Sequence, residues 1–291
     1  MNYPNLGAPQ ALASGDFNGD GVTDLAVAVQ GTGIVILFGN GDGSMHLGST
    51  YAPGTTTNVV VTDLNGDGRA DLAMLDGSNA TLTLLLGNGD GTFQQPVMYD
   101  AGGSSPNSLV VADFNGDGSP DFAFVTGLNP VAVTIRLANP DGTLQAAQQQ
   151  ATAIISISSL AAGDLSGDGR TDLIVAGAES WQVLLGNGDG TFGQLTRTDS
   201  PDWVDSPVVV DFNGDGRLDV ALIYGSSGGQ GVMLLPGQGD GTFAAPIGYA
   251  GTSSYLPVGS TAFTRRRQSE SCSPRYSQSF GTTVARPRPP A

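Results

Sequence analysis

A nine-residue loop, Asp16-Phe-Asn-Gly-Asp-Gly-Val-Thr-Asp24, occurs in five closely similar copies, at 16–24, 63–71, 113–121, 164–172 and 211–219. Successive copies start 47, 50, 51 and 47 residues apart. A steady period of about fifty residues restricts the chain to an array of one supersecondary unit stacked on itself. Only the segments between loops remain to be read, and they repeat too.

An apolar run leads into each loop, as in Leu12–Gly15 and Leu109–Ala112. A second follows it, as in Leu25–Val29 and Phe122–Val125, and a third comes after a short break, as in Ile34–Phe38 and Val131–Leu137. A Gly-rich turn such as Gly87-Asn-Gly-Asp-Gly-Thr-Phe93 then precedes a weaker stretch, Phe93–Tyr99 and its equivalents. Runs this short, β-branched and bounded by turn residues are strands; helices need ten or so residues and few glycines. The second and third runs are apolar on both faces, which requires each sheet to lie between two neighbours. The expected fold is all-β: a β-propeller of four-stranded antiparallel blades, with five complete repeats over residues 1–262. Tyr3-Pro-Asn-Leu-Gly7 matches the end of a fourth strand, as at Tyr51 and Tyr99. Such a strand either completes the last blade of a ring or marks a cut through a longer array, so closure stays open.

Each loop presents oxygen at its first, third, fifth and ninth positions, and glycine at its fourth and sixth. Ca²⁺ takes six to eight oxygen ligands, which alternating side chains on a tight loop supply. In the first loop the side-chain ligands are Asp16, Asn18, Asp20 and Asp24, with the Val22 carbonyl as a fifth. The same roles fall on Asp63, Asn65, Asp67 and Asp71 with the Arg69 carbonyl, and on Asp113, Asn115, Asp117 and Asp121 with that of Ser119. They fall again on Asp211, Asn213, Asp215 and Asp219 with the Arg217 carbonyl. In the fourth loop Asp164, Asp168 and Asp172 flank Ser166, with the Arg170 carbonyl in fifth place. A hydroxyl is the shorter and poorer ligand, so this site is expected to be the weakest. One Ca²⁺ per repeat, five in all, is the expectation. The competing reading is a bare Asp/Asn/Gly turn, but three unpaired carboxylates in nine residues would repel one another. An EF-hand would place its last carboxylate at position twelve, where the first loop has Val27.

These loops, followed by runs such as Phe122-Ala-Phe-Val125 and turns such as Leu86-Gly-Asn-Gly-Asp-Gly-Thr-Phe93, resemble FG-GAP/VCBS repeats, those of the integrin α-chain propeller and many bacterial surface proteins. The resemblance covers about residues 3–262. It implies a calcium-stabilised propeller used in adhesion or ligand binding outside the cell. Seven blades are common in that family, against five whole units here.

Composition excludes several other classes. The chain has 27 acids, 11 arginines and no lysine. Six of the arginines follow Ala262, so the repeats are strongly acidic, and fifteen of their acids lie in the five loops. Such a surface argues against a nucleic-acid backbone as partner. No apolar run approaches the ~18 residues of a membrane span. No secretion signal opens the chain, so it is read as part of a longer exported protein, extracellular or cell-surface. The single cysteine, Cys272, rules out a disulfide framework. No Ser/His/Asp or Cys/His set recurs with the repeats, and no catalytic residue is assigned. A two-carboxylate glycosidase stays open on acid count alone, although almost every acid already has a loop or turn role.

The second Gly-rich turns, Asn40/Asp42, Asn88/Asp90, Asn139/Asp141, Asn187/Asp189 and Gln238/Asp240, read as hairpin turns or as weak metal or glycan contacts. His46 reads as surface decoration and Trp181 as packing. Trp203, inside the acidic stretch Asp199–Asp205, reads as part of a long surface loop or as a sugar-stacking platform. Residues 263–291 are either a solvated basic tail or a sixth repeat read one base out of frame. Arg265–Glu270 can be encoded so that the shifted frame reads Gly-Asp-Gly-Asn-Pro. The expected function is a non-catalytic binding or adhesion module for a protein or glycan. A lectin-like binder and an accessory domain of a secreted polysaccharide-degrading enzyme are the alternatives.

Overall fold

The computed structural model describes residues 6–51, 54–127, 131–194, 197–200, 202–226 and 229–250. The readings made for Tyr3–Asn5 and for 263–291 lie outside these residues. The described chain is all-β and forms five sheets, each built from consecutive strands in antiparallel order. The first holds β1 (Pro9–Gly15), β2 (Asp24–Val29), β3 (Gly33–Gly39) and β4 (Met45–Tyr51). The second holds β5 (Thr56–Thr62), β6 (Asp71–Asp76), β7 (Thr81–Leu85) and β8 (Val97–Asp100). In the third are β9 (Asn107–Ala112), β10 (Asp121–Thr126), β11 (Ala132–Arg136) and β12 (Gln148–Gln150). The fourth has β13 (Ile157–Gly163), β14 (Asp172–Gly177), β15 (Ser180–Gly186) and β16 (Phe192–Gln194), with β17 (Thr198–Asp199) also pairing β15. The fifth has β18 (Trp203–Val210), β19 (Asp219–Ser226), β20 (Gly229–Leu235) and β21 (Ile247–Ala250).

Strand two of the second, third and fourth sheets is apolar on both faces because both faces are covered. All six residues of β6, β10 and β14 are buried. Facing sheets share one core each: Phe17, Ile34 and Ile36 of the first meet Met74 and Leu85 of the second. Leu75 and Leu84 of the second meet Phe122 and Phe124 of the third, and Val125 and Ile135 of the third meet Leu173 and Val175 of the fourth. Ala176 and Trp181 of the fourth meet Leu222 and Tyr224 of the fifth. Burial this complete supplies roughly 25 cal/mol per Å² of apolar surface removed from water.

The sheets follow one another as blades do. β1 packs on β5, β5 on β9, β9 on β13 and β13 on β18. Among the described residues no comparable contact joins the fifth sheet back to the first, so they form an unclosed row. The fourth strand of the first sheet, Met45–Tyr51, has the length that the sequence suggests, whereas those of the other four sheets are shorter. The reading Phe93–Tyr99 is corrected to Val97–Asp100, with Phe93 held only by an isolated bridge to Gly87. Pro96, which has no N–H to donate, delays the pairing.

A polar ladder runs through the first strands, each of which carries a register shift. Asn58 Oδ1 accepts from Ser108 N–H at 3.0 Å, and Ser108 Oγ accepts from Leu160 N–H at 2.8 Å. Ser159 Oγ accepts from Ser206 N–H at 2.8 Å. Ser108 and Ser206 adopt φ of 54° and 51°, a left-handed conformation that turns these N–H groups toward the previous sheet.

Trp181 packs in the core, as read. Trp203 is corrected: it opens β18, paired with Gly225, and is no part of a long loop. Asp205 and Pro207 hide the strand's alternation in the sequence. His46 lies on β4, where Nδ1 hydrogen-bonds with Asn40 Oδ1 at 2.8 Å and the ring rests against Phe38.

The array makes one energetic expectation directly testable. Phe114 is 1% exposed and its ring meets Phe192 of the next sheet at 5.5 Å, whereas the equivalent Phe212 is 48% exposed. Phe114→Ala should lower unfolding stability by about 3–5 kcal/mol and Phe212→Ala by less than about 1 kcal/mol. Urea titrations of the two variants measure the difference.

Candidate metal centre

Each acidic loop joins the first strand of a sheet to its second, so the antiparallel order puts all five on one rim, together with the turns between third and fourth strands. Within the loop the carboxylates fold the backbone around themselves. The Asp16 carboxylate accepts from Gly19 N–H at 2.8 Å and Gly21 N–H at 2.9 Å. Asn18 Oδ1 accepts from Asp20 N–H at 3.0 Å. Asp20 accepts from Val22 N–H at 2.7 Å and from the Asn18 amide at 2.9 Å. Gly19 and Gly21 make this possible with φ of 74° and 79°, where a Cβ is penalised. The same bonds recur for Asp63, Asn65 and Asp67, for Asp113, Asn115 and Asp117, and for Asp211, Asn213 and Asp215. In the fourth loop Asp164 accepts from Asp168 and Gly169, and Asp168 from Arg170.

The ninth-position aspartate has a different setting. Asp24, Asp71, Asp121, Asp172 and Asp219 are fully buried. One oxygen accepts the N–H of the loop's second residue: Phe17, Leu64, Phe114, Leu165 or Phe212, at 2.8–3.0 Å. The other accepts an N–H at the end of the third strand: Gly39, Gly87, Ala138, Gly186 or Gly237, at 2.6–2.9 Å. Asp172 also takes the Ser166 N–H, at 2.9 Å. The carboxylate thus ties the loop to a strand fourteen to eighteen residues further on.

These settings push the acids apart electrostatically. Amide bonds, that of Gly21 foremost, hold Asp16 below the usual carboxylate range. Asp211 is lowered in the same way, chiefly by Gly216, and Asp117 chiefly by Ser119. Burial raises Asp71, Asp121 and Asp172, Asp121 to about 6, against the bonds from the backbone. Asp63 and Asp67 add repulsion at Asp71, as do Asp113 and Asp117 at Asp121.

The seventh position was read for its carbonyl, but in three loops its side chain also matters. Arg69 pairs with Asp67 at 3.7 Å, Arg170 with Asp168 at 3.7 Å and Arg217 with Asp215 at 2.7 Å. The Arg217 bond holds Asp215 down at about 2. Val22 and Ser119 bring no such charge to the first and third loops.

The second Gly-rich turn couples neighbouring units as well as turning the chain. Gly91 N–H donates to Phe17 O of the preceding loop at 2.8 Å; Gly190 donates to Phe114 O and Gly241 to Leu165 O, each at 3.0 Å. Phe93 meets Phe17 at 5.7 Å, as Phe192 meets Phe114 at 5.5 Å. A Cβ on Gly91 would lie 2.6 Å from the Phe38 ring of the previous sheet. Asp42, Asp90, Asp141, Asp189 and Asp240 each brace their own turn through a Ser or Thr hydroxyl, which lowers their pKa.

Among the described residues no three His, Cys, Asp or Glu side chains converge into a group that would hold a metal. The donor chemistry nevertheless fits a hard cation. Every side-chain donor is oxygen, and a carboxylate oxygen that accepts one hydrogen bond keeps a second lone pair.

The fold and rim define a row of propeller-like blades, each bearing one acidic loop. The FG-GAP-like repeat matches at residues 16–74, 63–124, 113–175 and 164–222, each match running from one loop past the next, and the chain belongs to this family. No curated protein sequence matches it. Among solved structures, a lectin of Agrocybe aegerita, described for recognition of non-reducing terminal N-acetylglucosamine, aligns with TM-score 0.57 and 21% identity over 82% of this chain. The chain spans 66% of that lectin's length. A Lactobacillus plantarum protein aligns with TM-score 0.59 and 16% identity, over 82% of this chain and 70% of its own. These likenesses show the fold.

The buried aspartate gives two expectations. In Asp121→Asn the amide NH₂ must face a backbone N–H, so stability should fall by about 1–3 kcal/mol in urea titrations. The second concerns pH in chelator. Asp121 binds its proton more tightly folded than unfolded, with a pKa of about 6 against an ordinary 3.8. Its contribution is therefore full below the ordinary value and lost as pH rises through about 6. Metal-free protein should lose stability from pH 4 to 6.5, with a shallower slope in Asp121→Asn. A profile rising through that window would contradict the assignment.

Proposed function

We propose that the chain is a non-catalytic, extracellular binding module whose five acidic loops hold Ca²⁺ and whose rim contacts a protein or glycan. The observation that carries this reading is the loop itself. Carboxylates at positions one and five stand at the surface, their orientation fixed by loop amides, beside an amide oxygen and above a buried third carboxylate. The residues that would hold the ion are Asp16, Asn18, Asp20 and Asp24, with the Val22 carbonyl, and their counterparts in the other loops. Bound there, a divalent cation would offset the repulsion among these acids and lock the loop to the strands it joins. Family membership supports the same reading.

The loops differ in a way that predicts an order of affinity. Arg69, Arg170 and Arg217 already neutralise their neighbours, and the fourth loop has Ser166 in place of asparagine. The first and third loops should bind most tightly and the fourth most weakly. Each site filled at a hundredfold excess over its Kd adds about 2.7 kcal/mol to stability. Thermal melts should therefore shift down sharply in EDTA and recover with Ca²⁺. Calorimetric titration should lose one equivalent in Asp16→Ala, and Ser166→Asn should tighten the fourth loop. A melting temperature indifferent to EDTA refutes calcium as a structural ligand.

A second reading, carbohydrate recognition, has one observation in its favour. Trp203 leaves 37% of its surface exposed at the start of β18, a flat apolar face of the kind sugars stack on. Glycan-array binding that disappears in Trp203→Ala would support it; an array without signal would remove it.

A further inference from the structure

We infer that the outer face of the fifth sheet is a docking face for one more unit of the same repeat, continuous with this polypeptide beyond β21. The register places Val208, Ala221, Leu234 and Ile247 in one cross-strand row and Ile223, Val232 and Tyr249 in another, all on that face, with Asp205 at the first-strand end of the second row. Val208, Val232, Ile247 and Tyr249 are 45%, 44%, 41% and 60% exposed. The corresponding face of the fourth sheet, with Ala161, Ile174, Val183, Ala176 and Trp181, is buried against the fifth. The first three sheets bury the same face against their successors. So this patch has the composition and register of an inter-sheet core, and among the described residues no sheet covers it.

The loop rim repeats the observation independently. The second residue of the first four acidic loops, Phe17, Leu64, Phe114 or Leu165, is 1–2% exposed, because the next unit's Gly-rich turn lies over it. That turn bonds to the carbonyl of Phe17, Phe114 and Leu165. Phe212, the fifth such residue, is 48% exposed. The occupant is thus specified chemically: a four-stranded antiparallel sheet with apolar second and third strands, ending in a Gly-Asp-Gly-Thr-Phe-like turn that reaches Phe212. Continuity with this polypeptide is favoured because each interface already present joins consecutive units, and because Phe263 follows Tyr249 by about the interval that separates Phe114 from Tyr99.

The test replaces residues 251–291 with a second copy of residues 101–150, which keeps the register because Tyr99-Asp100 corresponds to Tyr249-Ala250. The extended chain should melt about 5 °C or more above the natural one and bind several-fold less of a hydrophobic dye such as ANS. Tyr249→Ser, a mild exposed change, and Val232→Asp should each reduce that gain while leaving the natural chain's melting temperature nearly unchanged. Equal melting temperature and dye binding in the natural and extended chains would overturn the inference. So would sedimentation showing that the natural chain dimerises through this face, with Val232→Asp restoring the monomer, because the occupant would then be a second copy.

Discussion

The structure depends on a buried carboxylate used as a two-pronged acceptor. The last aspartate of each loop receives one backbone N–H from the loop's start and another from the end of the third strand. Removing a carboxylate from water is costly unless its lone pairs are met, and here backbone donors meet them. The third strand would otherwise end in an unpaired N–H at the rim. One side chain therefore answers two needs of the backbone and fixes the distance between loop and strand. The surface acids of the loop act on that frame, and repulsion between them and the buried carboxylate is what a cation would relieve.

The second coupling runs between units. A Gly-rich turn, its bulk removed at Gly91, Gly142 and Gly190, lies on the loop of the sheet before it. Its terminal Phe or Leu covers the loop's second residue. At the other side of the sheets, the Asn58, Ser108 and Ser159 side chains accept the N–H groups of the next first strand. Loop rim and strand ladder fasten the same pair of sheets at two places, with the apolar core between them. The recurring motif thus acts as an assembly code between neighbouring units.

Much of this was legible in the sequence, for a physical reason. Period, strand runs and turn residues are local properties, and five copies repeat them, so sheet order and the apolar second and third strands follow from pattern alone. The partners of the repeated residues were not legible. The sequence shows Asp24 as one of the loop's oxygens but not that its second oxygen receives the Gly39 N–H. Gly91 reads as a hairpin residue, since nothing in its own unit reveals the Phe38 ring of the previous one. Asn58 and Ser108 carry their meaning across 50 and 52 residues. Their only signal is a polar residue recurring five places before the loop, as in Asn58, Ser108, Ser159 and Ser206. Trp203 was misplaced because an acidic and proline-bearing context concealed a strand.

The unclosed row of sheets has a consequence for how the molecule comes apart. Among the described residues each sheet packs on its neighbours in sequence, so stability adds up along a line from units and the interfaces between them. The outermost sheet at an open end leans on a single interface, while an interior one leans on two. Opening should therefore begin at an exposed end and travel inward one interface at a time, as a row of tiles lifts from its loose edge. The same arithmetic makes length cheap to vary: adding or deleting a unit changes the number of similar joints and leaves each remaining joint as it was.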